Sequence, residues 1–175
     1  MAGRPGIRPA SPRPKWKEVE RMAAAETNIC PACGATLAPG ESCEERYHRC
    51  LAKEYEDWTG YGAVHNLSVP AYMLQHPGRY SREGWLEAHR LLAAFRAGKP
   101  PAEVRQQNRS RRDSGNRPWR MTGGEGVSPP AGMVWSRTIA DVRLEDPATY
   151  CADVVEWARA VLADTEGWET RRPEW

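Results

Sequence analysis

The sequence is short of the aliphatic bulk that usually fills a core. It has a single Phe and three Ile, with nine Leu and ten Val among 175 residues. That sits below the level of roughly 20% at which a chain struggles to bury enough apolar surface to hold itself folded. It also lacks an excess of one charge, with a formal net charge of +2. A global pull toward nucleic acid or a membrane surface is thereby excluded. No apolar run approaches the roughly 20 residues needed to span a bilayer. Residues 1–28 hold no apolar stretch of the kind a secretory signal needs. The expected location is therefore cytoplasmic, with reduced thiols and no membrane partner. Catalytic fingerprints are missing too. There is no Gly-x-Ser-x-Gly, no His-Glu-x-x-His and no dinucleotide motif. Gly123-Gly124-Glu125-Gly126 lacks the Gly-Lys-Ser/Thr ending of a phosphate-binding loop.

What is present compensates in two ways. Eight Trp and six Tyr each bury a large area, so a small aromatic-rich core is expected in the middle of the chain. A bound metal would add stability that such a core lacks. Four of the five cysteines and three of the four histidines lie between Cys30 and His76. In a reducing compartment an odd cysteine count with a C-x-x-C motif points to metal or redox chemistry rather than a disulfide framework.

Cys30-Pro31-Ala32-Cys33-Gly34 has the form of a zinc knuckle. Two thiolates two residues apart can grip one tetrahedral ion, and Gly34 permits the turn that aims backbone N–H groups at the sulfurs. A thioredoxin-like role would need the motif at a helix start after a strand. Here it leads instead into a turn at Ala38-Pro39-Gly40. Cys43 falls at the start of a helical pattern running from Glu41 to about Asp57, where the helix dipole favours a thiolate. It is the natural third ligand. Cys50 lies about 10 Å further along the axis and is expected in the core.

The fourth ligand follows from length. A helix running away from Cys43, followed by a short turn, returns antiparallel. That brings the end of the next helix, at His76, back toward Cys43. The order of candidates is His76, then His48, then His65. In that second helix Ser68 is expected as N-cap with Pro70 in the first turn.

The pattern Cys30-Pro-x-Cys33-Gly, Cys43, Tyr47, Leu51-Ala52-x-Glu54-Tyr55, then Val64-His65-x-Leu67-x-Val69-x-Ala71-Tyr72-x-x-Gln75-His76-Pro77, resembles an uncharacterised bacterial family of unknown function. The resemblance continues through Trp135–Val142 into the C-terminal helix and spans roughly 28–163. It implies that Cys30, Cys33, Cys43, His65 and His76 matter more than His48. It implies no activity.

Ser81 is expected to cap a helix over 81–97, with Trp85, Ala88, Leu91, Leu92 and Phe95 facing inward. His89 borders that stripe and reads as structural. Met133–Leu144 is expected as a short extended segment. Asp146 and Pro147 should cap and open a last helix, with Tyr150, Val154, Trp157, Ala158, Val161 and Leu162 inward. Cys151 reads as packing.

The resulting expectation is a mainly α, helical bundle-like single domain with an N-terminal zinc-knuckle loop and little or no β. Residues 1–27 form a disordered basic tail with a possible short helix. Residues 28–163 form the metal-binding domain, which contains a mobile Arg/Gly-rich loop over 105–132. Residues 164–175 form a tail. The leading function is a Zn2+-stabilised protein that binds or regulates through an unknown protein partner. A nucleic-acid binder would use Arg109, Arg111, Arg112, Arg117 and Trp119, because Arg with an interleaved aromatic can grip phosphates and stack a base. A metal-dependent hydrolase or transferase would use His65 or His76, with His65 pairing Asp57 or Asp141 for proton transfer.

Overall fold

The computed structural model describes residues 28–100, 102–104, 106, 120–123 and 126–168. The basic tail over 1–27 and the arginine-rich candidates Arg109, Arg111, Arg112, Arg117 and Trp119 lie outside the described residues.

The chain is mainly helical. It opens with a minimal hairpin, β1 (Asn28–Ile29) and β2 (Thr36–Leu37), antiparallel with Asn28 opposite Leu37. Helix α1 (Cys43–Glu56) follows. Its start is fixed by a reciprocal cap. The Glu45 N–H donates to the Ser42 hydroxyl at 3.1 Å, and the Ser42 N–H donates to the Glu45 carboxylate at 2.7 Å. The inward face of α1 is Cys43, Tyr47, Cys50 and Glu54, the three- and four-residue spacing of one helical stripe.

A 3-10 turn at Tyr61–Val64 runs directly into α2 (His65–Gln75). Gly62 makes that turn possible. A Cβ there would lie 2.8 Å from the Glu54 carbonyl oxygen and 2.9 Å from the Trp58 ring. Because the turn already supplies helical backbone, α2 begins at His65 and not after Ser68. The expected Ser68 cap is therefore corrected. Its buried hydroxyl donates to the His65 carbonyl at 3.1 Å. Pro70 consequently sits inside the helix, where it removes one backbone hydrogen bond.

Helix α3 (Arg82–Arg96) is capped by Ser81, whose hydroxyl accepts from the Gly84 N–H at 3.0 Å. The same hydroxyl donates to the Arg120 carbonyl at 2.6 Å, and the Ser81 N–H donates to the Met121 carbonyl at 3.0 Å. Residues 120–121 are thus laid against the start of α3. The segment expected to be extended over Met133–Leu144 instead contains a 3-10 turn at Ile139–Asp141, because Thr138 and Asp141 cap each other there. Ile139, its first residue, and Val142, the residue after its last, are wholly buried. Helix α4 (Pro147–Asp164) opens with Asp146 accepting the Thr149 N–H at 2.9 Å and Pro147 in the first turn.

Helix α2 is the hub, packing on α3 and α4. It is buried along nearly its whole length, from Leu67 to Gln75. Gln75 is fully buried and satisfied on both sides. Its amide N–H donates to the Arg137 carbonyl at 2.6 Å, and its oxygen accepts the Trp157 indole N–H at 2.9 Å. One side chain thereby ties α2 to the 3-10 segment and to α4. Among the described residues, no helix is long and apolar enough to cross a membrane.

Candidate metal centre and a second polar cluster

The hairpin turn sets the first two thiols. The Gly34 N–H donates to the Cys30 carbonyl at 2.8 Å, and the Cys30 N–H to the Ala35 carbonyl at 2.9 Å. Gly34 takes φ +73, a left-handed conformation that glycine adopts without steric cost. The turn also directs the Ala35 N–H onto the Cys33 sulfur. Cys43 enters from the first residue of α1 and His76 from the residue after α2. The structure brings Cys30, Cys33, Cys43 and His76 together, with one donor atom of each within 4.8 Å of all the others. Cys33, Cys43 and His76 are buried, and Cys30 is half-buried.

The imidazole is oriented from behind. Its Nδ1 lies 2.8 Å from the Tyr72 carbonyl oxygen, and its Nε2 lies 3.6 Å from the Cys30 sulfur. A carbonyl can only accept, so Nδ1 carries the proton and Nε2 offers its lone pair to the cluster. The ring is also stacked on Tyr72, centroids 4.0 Å apart, and Tyr72 in turn on Tyr47 at 3.9 Å.

Three sulfurs this close cannot all ionise by themselves. The Cys33 thiol is held down to about 4, first by its hydrogen bond with Cys43 and then by His76 and the Ala35 N–H, against the opposing effect of burial. The Cys43 thiol is pushed up, first by that same bond, then by burial and by the neighbouring Cys33 and Cys30. A cation removes this conflict, since it favours the charged form of every ligand at once. The Cys33 and Cys43 sulfurs are 3.7 Å apart. A tetrahedral ion with S ligands at about 2.3 Å and N at about 2.0–2.1 Å has edges of about 3.8 Å between sulfurs and about 3.6 Å between S and N. Two edges of the cluster match those lengths, and its four donors could hold a metal ion.

The other histidine candidates are elsewhere. His48 is on the exposed face of α1. His65 begins α2 while His76 follows its end, about 16 Å apart along the axis, so no single ion takes both. Cys50 is in the core, its thiol pushed up to about 11 first by burial.

His65 forms a second cluster. Its Nδ1 lies 2.6 Å from the Glu54 carboxylate, whose other oxygen accepts the Tyr150 hydroxyl at 2.5 Å. Glu54 is fully buried. The expected partners of His65, Asp57 and Asp141, are thereby corrected. Asp57 accepts the Gly60 N–H, and Asp141 accepts the Thr138 N–H, so both carboxylates are spent on turns. In the sequence Glu54 stood only within the family pattern and Tyr150 only as an inward-facing core residue, with no polar role for either. The available signal was a carboxylate falling within the otherwise apolar stripe of α1.

No curated protein and no solved structure matches the sequence. A family model matches a span that includes the knuckle, all the described helices and both clusters. Over residues 28–166 the chain belongs to a family of unknown function, DUF5946.

Proposed function

We propose that Cys30, Cys33, Cys43 and His76 hold one Zn2+ as a closed structural site, and that the chain is a zinc-stabilised cytoplasmic protein acting by binding or regulation through a protein partner. The carrying observation is the pair of edges, 3.7 Å between sulfurs and 3.6 Å between sulfur and nitrogen, which match a four-coordinate zinc tetrahedron. Soft thiolates with one imidazole suit Zn2+ over harder cations such as Mg2+ or Ca2+. Four protein donors fill the tetrahedron and leave no vertex for a substrate, the pattern of a structural and not a catalytic zinc. Metal analysis of the purified full-length chain tests this. The expected result is about one zinc per chain, lost in Cys30→Ser and in His76→Ala and kept in His48→Gln. Wild-type protein without bound zinc after purification in zinc-supplemented medium would refute it.

A further inference from the structure

The His65 cluster takes no part in the metal centre. Glu54 is a carboxylate with no exposure at all, and burying such a charge costs several kcal/mol unless donors surround it. Its two donors arrive from α2 and α4, His65 at 2.6 Å and Tyr150 at 2.5 Å. Burial pushes the Tyr150 phenol up, which keeps it protonated and donating. A carboxylate only accepts, so His65 carries a proton on Nδ1, and in the neutral imidazole Nε2 then presents a lone pair. No described residue hydrogen-bonds Nε2, and the side chain is 17% exposed.

The surface beside this imidazole is aromatic. Trp58 stands 5.4 Å away, centroid to centroid, and Tyr55 5.7 Å, tilted 53° and 58° to the imidazole plane. Both are exposed, at 41% and 69%, where few large apolar side chains among the described residues are. The close approach of Gly62 to Trp58 and to the Glu54 carbonyl holds this corner together. A ring-stacking surface adjoins an imidazole whose tautomer and orientation are fixed by a buried carboxylate. That is the arrangement of a general base.

We infer that His65 is the proton-accepting centre of a ligand site for a small planar aromatic or heteroaromatic molecule carrying an acidic O–H or N–H. The ring stacks on Trp58 and Tyr55. The ligand O–H or N–H bond breaks, the new N–H bond forms at Nε2, and the electron pair stays on the ligand as an anion. The resulting imidazolium faces the Glu54 carboxylate through Nδ1–H. Glu54 and Tyr150 are positioning residues. The inference does not rest on the proposed metal at Cys30, Cys33, Cys43 and His76.

The probe is p-nitrophenol, which is flat, carries an acidic O–H and changes its visible absorbance on ionisation. The full-length, metal-loaded protein is titrated at a pH where the free probe is mostly protonated. Saturable binding accompanied by the phenolate band is expected. His65→Gln should abolish the band and weaken binding about tenfold, a loss of about 1.4 kcal/mol. Trp58→Ala should weaken binding while preserving ionisation. Glu54→Gln should retain binding and lose the band, a split that a merely structural Glu54 would not produce. As a measurement needing no variant, diethyl pyrocarbonate should modify His65 in the wild type, and p-nitrophenol should protect it. Absence of saturable binding, a phenolate band undiminished in His65→Gln, or absence of protection would each overturn the inference.

Discussion

Removing the ion should loosen one end of the molecule and leave the rest standing. The four candidate ligands come from three places: the hairpin turn, the first residue of α1 and the residue after α2. Strands of two residues are too short to persist as an isolated hairpin. Its buried residues, Cys33, Ala35 and Leu37, offer little apolar area without the metal. The helical core has its own anchors in Leu67, Leu74, Trp85, Leu92, Tyr150, Val154 and Trp157, all nearly or fully buried. Zinc at about 100 to 1,000 times its dissociation constant adds about 2.7–4.1 kcal/mol. At about 2–4 °C per kcal/mol for a chain of this size, the melting midpoint should fall by about 5–16 °C on chelation. Circular dichroism melts with and without chelator provide the assay, with hydrogen exchange locating the change. Exchange should rise first over 28–37 and at the two helix ends that carry Cys43 and His76. Cys30→Ser should reproduce the chelated midpoint, and His48→Gln should not. Identical midpoints with and without chelator, in protein shown to release zinc, would refute the reasoning.

Further outcomes follow from individual contacts. Gln75→Leu leaves the buried Trp157 N–H without its partner and breaks the part-buried bond to the Arg137 carbonyl, so chemical denaturation should show a loss of about 1–3 kcal/mol. Tyr72→Phe should be neutral or stabilising by up to about 1 kcal/mol, because the buried Tyr72 hydroxyl has no partner among the described residues; a loss above that range would show an unseen acceptor. Ser42→Ala breaks the reciprocal cap of α1 and should cost about 1 kcal/mol, with weaker zinc retention in competition assays because Cys43 is the next residue. Asp153 is held below the ordinary carboxylate value, first by the Arg143 side chain, which donates to it at 2.9 and 3.0 Å. Its contribution is therefore present above the unfolded carboxylate value and lost as pH falls through the lower folded one. Asp153→Asn should destabilise at neutral pH, with the difference from wild type closing in that acidic window, as read by urea midpoints across pH.

Much of this was legible in the sequence where local chemistry decides. Asp146 and Pro147 open α4, and Ser81 caps α3, because a side-chain acceptor and an apolar stripe make a local signal. The return of His76 to Cys43 was readable from helix length and a short turn. The start of α2 was not. Ser68 and Pro70 have the composition of a helix start, but the 3-10 turn at Tyr61–Val64 supplies helical backbone earlier and Gly62 lets it press against α1. That contact is tertiary and leaves no local mark. The partner of His65 was missed for a related reason. Asp57 and Asp141 are near in sequence or typical in role, yet both are consumed by turns. Glu54 becomes the partner only because α1, α2 and α4 converge on it.

The two clusters share one rigid element, and that makes their relation testable. His65 opens α2 and His76 follows its last residue, while Leu67 to Gln75 between them are almost entirely buried. A helix packed this tightly on α3 and α4 has little freedom to fray from one end to the other. Its far end is additionally pinned by Gln75 to Arg137 and Trp157. Loss of the ion should therefore free His76 and the hairpin while the His65–Glu54–Tyr150 contacts persist. The expected signature is continued p-nitrophenol ionisation by chelated protein at temperatures below its lowered midpoint. In Gln75→Leu the pin itself is gone, and chelation should then reduce ionisation as well. If chelation alone abolished it in the wild type, α2 would be transmitting the state of the metal to His65, and the division of the molecule into a metal-held end and a self-sufficient core would fail.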